Sequence, residues 1–143
     1  MEVVINSCFG GFALSRKAIE EYSKLKGVPE IYHYMNDYEE NVIKKVSSTE
    51  ADITSSLFVY TFTKDFGDTI IEEDLFSLTD GYIYSPEIKR NDPDLVRVVK
   101  QLKDKANVQY SDLKIIEIPD DVNFVIQEYD GNEWIAEEHR TWS

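Results

Sequence analysis

Apolar positions repeat with two different periods along this chain, and the changes of period mark out its elements. Leu14, Ala18, Ile19, Tyr22 and Leu25 recur every three or four positions, the spacing of one face of an α-helix over about 14–26. Ser15 stands near its start as a candidate N-cap. Gly27-Val28-Pro29 stops it, because glycine accepts the left-handed exit and proline cannot continue the helix. The pattern is cleaner over about 93–106, where Leu95, Val98, Val99, Leu102 and Ala106 lie on one face. Asp92 precedes it as N-cap and Pro93 takes the first helical position, where the missing N–H costs nothing.

Elsewhere the apolar residues fall in short β-branched and aromatic runs. Val3-Val4-Ile5 predicts a first strand, stopped by Asn6-Ser7. Residues 31–34 and 41–46 predict two strands around the acidic turn Asp37-Tyr38-Glu39-Glu40. Residues 56–63 predict another, broken at 65–67, with Thr69-Ile70-Ile71 as its expected partner. Residues 81–86 fit a loop or an edge strand, and 113–118 a strand ended by Pro119. Runs at 122–127 and 134–141 flank Asp130-Gly131-Asn132, a strong hairpin signal. The expectation is one α+β domain over 1–143. It has antiparallel sheet, two main helices (about 14–26 and 93–106) and a C-terminal β-hairpin (about 122–141).

Composition narrows the class. With 15 basic and 28 acidic residues the net charge is -13, which repels polymeric DNA or RNA and the anionic face of a bilayer. Nine Tyr, seven Phe and two Trp are too many aromatics for an acidic disordered chain. Cys8 is the single cysteine, so no intramolecular disulfide forms, and a reducing cytoplasm is the expected setting. Residues 1–6 lack the basic start and long apolar run of a signal peptide, and no apolar stretch approaches the roughly 20 residues of a membrane helix.

Signals for catalysis are thin. Cys8 has only His33 and His139 as imidazole partners for thiolate chemistry, a weak signal, and it reads far more readily as a small packed residue at a strand end. Glu133, Glu137, Glu138 and His139 are close in sequence, but a strand alternates their faces, and zinc needs convergent N or S ligands. No catalytic residue, metal or cofactor is expected.

Two places suit anion binding. Gly10-Gly11 before the first helix lets backbone N–H groups turn toward an anion, although it also reads as a plain turn. The stretch 89–97 places Arg90 and Asn91 before a helix start and Arg97 one turn inside it, two of the chain's four arginines. Tyr82 and Tyr84 lie just upstream, where a ring can stack on a base. The plainer alternative is that Asp92 caps the helix while Arg90 and Arg97 pair with surface carboxylates.

Four segments together carry a family resemblance: Cys-Phe-Gly-Gly-Phe-Ala-Leu-Ser (8–15), Ser-Pro-Glu-Ile-Lys-Arg-Asn-Asp-Pro-Asp-Leu-Val (85–96), Ile-Pro-Asp-Asp-Val (118–122) and Glu-Tyr-Asp-Gly-Asn-Glu-Trp-Ile-Ala-Glu-Glu-His-Arg-Thr-Trp (128–142). In these the chain resembles small proteins encoded by bacteriophages and prophages, and among them the Thoeris anti-defence sponge proteins. Those bind cyclic ADP-ribose isomers made by TIR-domain enzymes and so block host immune signalling. The resemblance implies a binder that does not turn its ligand over, working in the host bacterial cytoplasm as a homo-oligomer, a dimer or larger. Its pocket lies between protomers, and some members bind cyclic oligonucleotides at a second site. Carried onto this chain, Tyr82 stacks on the base, Arg90 and Arg97 hold the diphosphate, and Asn91 bonds a ribose or base edge. The Phe9-Gly10-Gly11-Phe12 turn lines the pocket. Two other classes stay open at this stage: an enzyme that degrades the same signal, and an acidic inhibitor that docks on a host protein.

Overall fold

A computed structural model of the protein describes residues 1–53, 59–71, 81–139 and 142. In chain order these form β1 (Glu2–Asn6), α1 (Arg16–Leu25), β2 (Tyr32–Asp37), β3 (Val42–Val46), α2 (Ser48–Ile53), β4 (Val59–Phe62), β5 (Thr69–Ile71), α3 (Pro93–Leu102), β6 (Leu113–Glu117), β7 (Phe124–Tyr129) and β8 (Asn132–Glu137). Short 3₁₀ turns occupy Ser85–Glu87 and Lys103–Ala106. The class is α+β, as the two periodicities predict, but the strands are shared among three antiparallel sheets: β1-β6, β4-β2-β3-β5 and β7-β8.

Both predicted helices form, and their caps explain where they begin. The Ser15 hydroxyl accepts from the Ala18 N–H at 3.2 Å, and it donates to the Lys105 carbonyl at 2.6 Å. The Asp92 carboxylate accepts from the Asp94 N–H at 2.9 Å. The apolar faces of α1 and α3 pack on β1 and on each other, burying Val4, Leu14, Ala18, Leu95, Val98 and Val99. Leu25 is the exception: as the last residue of α1 it is exposed. The expected helix over 93–106 is α-helical only to Leu102, where Lys103 takes a positive φ of 53° and a 3₁₀ turn carries the chain to buried Ala106.

The four-stranded sheet has a different core. Tyr34, Ile43, Phe62 and Ile70 are buried there, with Tyr32, Tyr60 and Phe66 packed against them. Tyr34 is fully buried because its hydroxyl is satisfied: it donates to the Gly67 carbonyl at 2.9 Å and accepts from the Phe66 N–H at 3.0 Å. The pairing corrects one expectation, since β5 pairs with β3, while β4 pairs with β2. Positions 56–58 of the predicted strand lie outside the described residues. Tyr82 bridges Phe62, and the Ile83 N–H donates to the Thr61 carbonyl at 2.9 Å, so 81–83 runs as an edge to β4 before the 3₁₀ turn. The short helix α2 was not anticipated from the pattern.

The hairpin turns at Asp130-Gly131 with φ of 51° and 88°, the two positive values a tight hairpin turn demands. Strand β8 ends at Glu137, earlier than the predicted 141, and positions 140 and 141 lie outside the described residues.

Candidate functional site: a cleft between an aliphatic and an aromatic core

The hairpin tip docks on the glycine turn. A Cβ at Gly131 would lie 2.1 Å from the Gly11 nitrogen, and one at Gly10 would lie 2.6 Å from both Cβ and the carbonyl oxygen of Tyr110. Only glycine permits this approach of backbone to backbone. The Gly10 N–H donates to the Asp130 carbonyl at 3.2 Å, so it is used by the hairpin rather than held ready for an anion. Asn6, fully buried, fastens the junction. Its Nδ2 donates to the carbonyls of Cys8 and Gly131, and its Oδ1 accepts from the Asp112 N–H.

Arg90 reaches into the same junction. Its guanidinium donates to both oxygens of Glu133, at 2.6 and 2.9 Å, and lies 3.6 Å from the centre of the Phe12 ring. The two side chains are only 11% and 8% exposed, and the Asn6 N–H adds a third bond to Glu133 at 2.8 Å. A weakly hydrated, planar guanidinium suits this site better than an ammonium would, because it forks onto a carboxylate and stacks on a ring together. Arg90 therefore joins the hairpin to the segment before α3. The Val4 N–H donates to the Arg90 carbonyl, tying β1 in as well.

Asp92 braces this segment from behind. Tyr22 donates to it at 2.8 Å, and Lys26 bridges Asp92 at 3.0 Å and Asp94 at 2.8 Å. Burial works to raise the Asp92 carboxyl, but the bonds from Lys26, Tyr22 and the Asp94 N–H outweigh it and hold it below its ordinary value. Burial and the bond to Asp92 push the Tyr22 phenol up to about 12.

Between the two cores opens a cleft of about 860 Å³. Its aliphatic side brings Phe12, Leu14 and Ile19, and its aromatic side brings Tyr60, Tyr82 and Tyr84, with Tyr110 beside the glycine turn. Polar groups are interspersed: the His33 ring, whose Nδ1 lies 2.9 Å from the Thr61 hydroxyl, and the side chains of Ser15, Asn107 and Gln109. Two arginines, Arg16 and Arg90, and two carboxylates, Glu128 and Glu133, line it, so its walls are formally neutral in a chain of net charge -13. Burial, with Tyr60, Tyr84 and Glu87 nearby, raises the Tyr82 phenol above its ordinary value, so it stays a neutral donor at physiological pH.

Five of the eight predicted site residues meet in this cleft: Gly10, Gly11, Phe12, Tyr82 and Arg90. Phe9 is exposed and outside its walls. Asn91 and Arg97 line a separate surface depression of about 640 Å³ on the outer side of α3, with Met1, Glu2 and Lys100. Helix geometry explains the split, because Arg90 precedes the cap and turns inward while Arg97 takes the exposed face opposite Leu95 and Val98. Sequence reasoning missed His33, Tyr60 and Thr61, which reach the cleft from two neighbouring strands, and it passed over Arg16. No local motif marks them, since only the β2–β4 register brings the strand residues together.

The residues weighed for other chemistry are dispersed. The Cys8 Sγ contacts the Phe9 carbonyl, His33 belongs to the four-stranded sheet, and Glu137, Glu138 and His139 are exposed. Among the described residues no three His, Cys, Asp or Glu side chains converge as a metal site. No family model matches the chain, and comparison with curated proteins and with solved structures finds no match, so the chemistry of the cleft is the guide to what it binds.

Proposed function

We propose that the protein is a non-catalytic binder that sequesters a small cyclic nucleotide, of the cyclic ADP-ribose class implied by the family resemblance, and so blocks TIR-based Thoeris signalling on behalf of a phage. The observation that carries this is the cleft itself. Four half-exposed or packed tyrosines and Phe12 surround a space large enough for a nucleotide, with arginines at its walls and a neutral net lining. Aromatic walls favour a base through its faces, and a neutral lining avoids the repulsion that the rest of the surface presents to phosphate.

The geometry redistributes the expected roles. Tyr82 keeps the base. Arg90 is a wall-positioning residue, because freeing it for phosphate would strand the buried Glu133. Arg16, whose Glu20 partner lies one helical turn away at 2.6 Å, is the cleft cation with the more exposed carboxylate. Its guanidinium lines the cleft and is the cation assigned to the phosphate. Asn91 and Arg97 contribute from a neighbouring protomer in a homo-oligomer. Sequestration at nanomolar level needs about -12 kcal/mol, which calls for such added contacts beyond one protomer's cleft.

The test is incubation of the purified protein with lysate from cells carrying an active TIR defence, followed by washing, heat release and mass spectrometry. Intact cyclic nucleotide in the released fraction supports the proposal. A cleaved product makes the protein an enzyme, and recovery of a bound host protein with no nucleotide makes it an acidic inhibitor.

A further inference from the structure

Resting on that reading, we propose that Tyr82 and Tyr84 are the two jaws of a clamp that closes on both faces of one planar heteroaromatic ring, the nucleobase of the ligand. The backbone builds the clamp. Residues 81–83 run extended along β4, and Tyr84 itself is extended, with φ -112° and ψ 103°. Side chains two apart on an extended chain leave the same face about 6.6 Å from each other. The two rings accordingly stand nearly parallel, 14° between planes and 6.3 Å between centroids. A flat ring held between them needs about 3.5 Å to each ring plane, so Tyr84 must swing away from Tyr82 to admit it.

The jaws differ in stiffness, and the difference suits capture. Tyr82 is backed by Phe62 at 5.3 Å, and Phe62 is itself held edge-on by Tyr34 and Phe66. That jaw belongs to the aromatic core. Tyr84 stands outside that core, half exposed at the start of the 3₁₀ turn Ser85–Glu87, and the clamp opens by its rotation. Both rings line the cleft and remain 42% and 50% exposed, an uncovered aromatic surface that a stacked base would remove from water.

The test uses adenosine, ribose 5-phosphate and a cyclic ADP-ribose isomer on the intact protein, with the Tyr82 and Tyr84 ring protons followed by NMR. Adenosine is expected to shift both rings upfield, through the ring current of a purine between them, and ribose 5-phosphate to shift neither. Tyr84→Ala should weaken adenosine binding about tenfold or more, whereas Tyr84→Phe, which keeps the ring, should hold it within about twofold. A shift of Tyr82 alone, no shift of either ring, or unchanged binding by Tyr84→Ala overturns the clamp. The function is judged separately: a clamp that grips adenosine in a protein that fails to bind the cyclic nucleotide overturns the sponge but not the clamp. Tight binding of the cyclic nucleotide without a shift at Tyr84 does the reverse.

Discussion

The two halves of this molecule reach burial by opposite means. Around α1, α3 and β1 the buried core is mainly aliphatic, built from Val4, Leu14, Leu95, Val98 and Val99 with Phe12, and the Tyr22 packed at its edge turns its hydroxyl out to Asp92. In the four-stranded sheet the core is aromatic, and its largest buried residue, Tyr34, is tolerated only through bonds to Phe66 and Gly67. An aliphatic core fills space and excludes everything else. An aromatic core, with rings that bury one end and wet the other, leaves a wall that a ligand can share. The cleft lies where the two meet.

The comparison can be broken most severely at the seam. Glu133→Ala leaves the Arg90 guanidinium buried without its carboxylate, an expected loss of about 3–5 kcal/mol in urea unfolding. Leu95→Ala tests the aliphatic half alone, with an expected loss of about 2–5 kcal/mol from transfer and cavity terms, read by the same melt. Tyr34→Phe tests the aromatic half. Its ring packing survives, but the Phe66 N–H and Gly67 carbonyl lose their partner, for about 1–3 kcal/mol. A Tyr34→Phe loss equal to that of Leu95→Ala would erase the distinction drawn between the cores.

The smallest effect is a pH dependence. The Tyr22 phenol titrates near 12 in the folded protein against 10 ordinarily, so its contribution is whole below about pH 10 and fades as pH rises toward 12. Tyr22→Phe should flatten that alkaline loss in thermal melts taken from pH 9 to 12. Asp92 runs the other way. Its folded value is depressed, so its contribution is present above the ordinary 3.8 and fades as pH falls through the folded value. Asp92→Asn should flatten that acid loss.

Much of the aliphatic half was legible in the sequence, because a helix declares itself by local period and local caps. In starting their helices, Ser15, Asp92 and Pro93 each act within four residues of where they stand. The hairpin was legible for the same reason, through Asp130-Gly131. The helix α2 carried a signal that went unused: Ser47 and Glu50 form an S-x-x-E box, and the Ser47 hydroxyl accepts from the Glu50 N–H. The sheet order was not legible, since β5 chooses β3 over β4 through long-range register that no turn between them specifies. The site was half legible for a related reason. A cluster of glycines and arginines can be seen in one dimension, but whether a side chain faces the cleft depends on backbone direction: the turn before the cap sends Arg90 inward, and helix phase turns Arg97 away.

The first strand carries a consequence for how the protein is made. Among the described residues strand β1 pairs with residues 113–117, the Asn6 N–H bonds Glu133 across 127 residues, and the Met1 amine bonds the Ile118 carbonyl across 117. Contacts so distant along the chain pay their loop-closure entropy before any of them is rewarded. On the ribosome, the helices and the four-stranded sheet can gather early while β1 waits for its partners. The cleft, whose wall includes Glu133 from the hairpin, is then completed late.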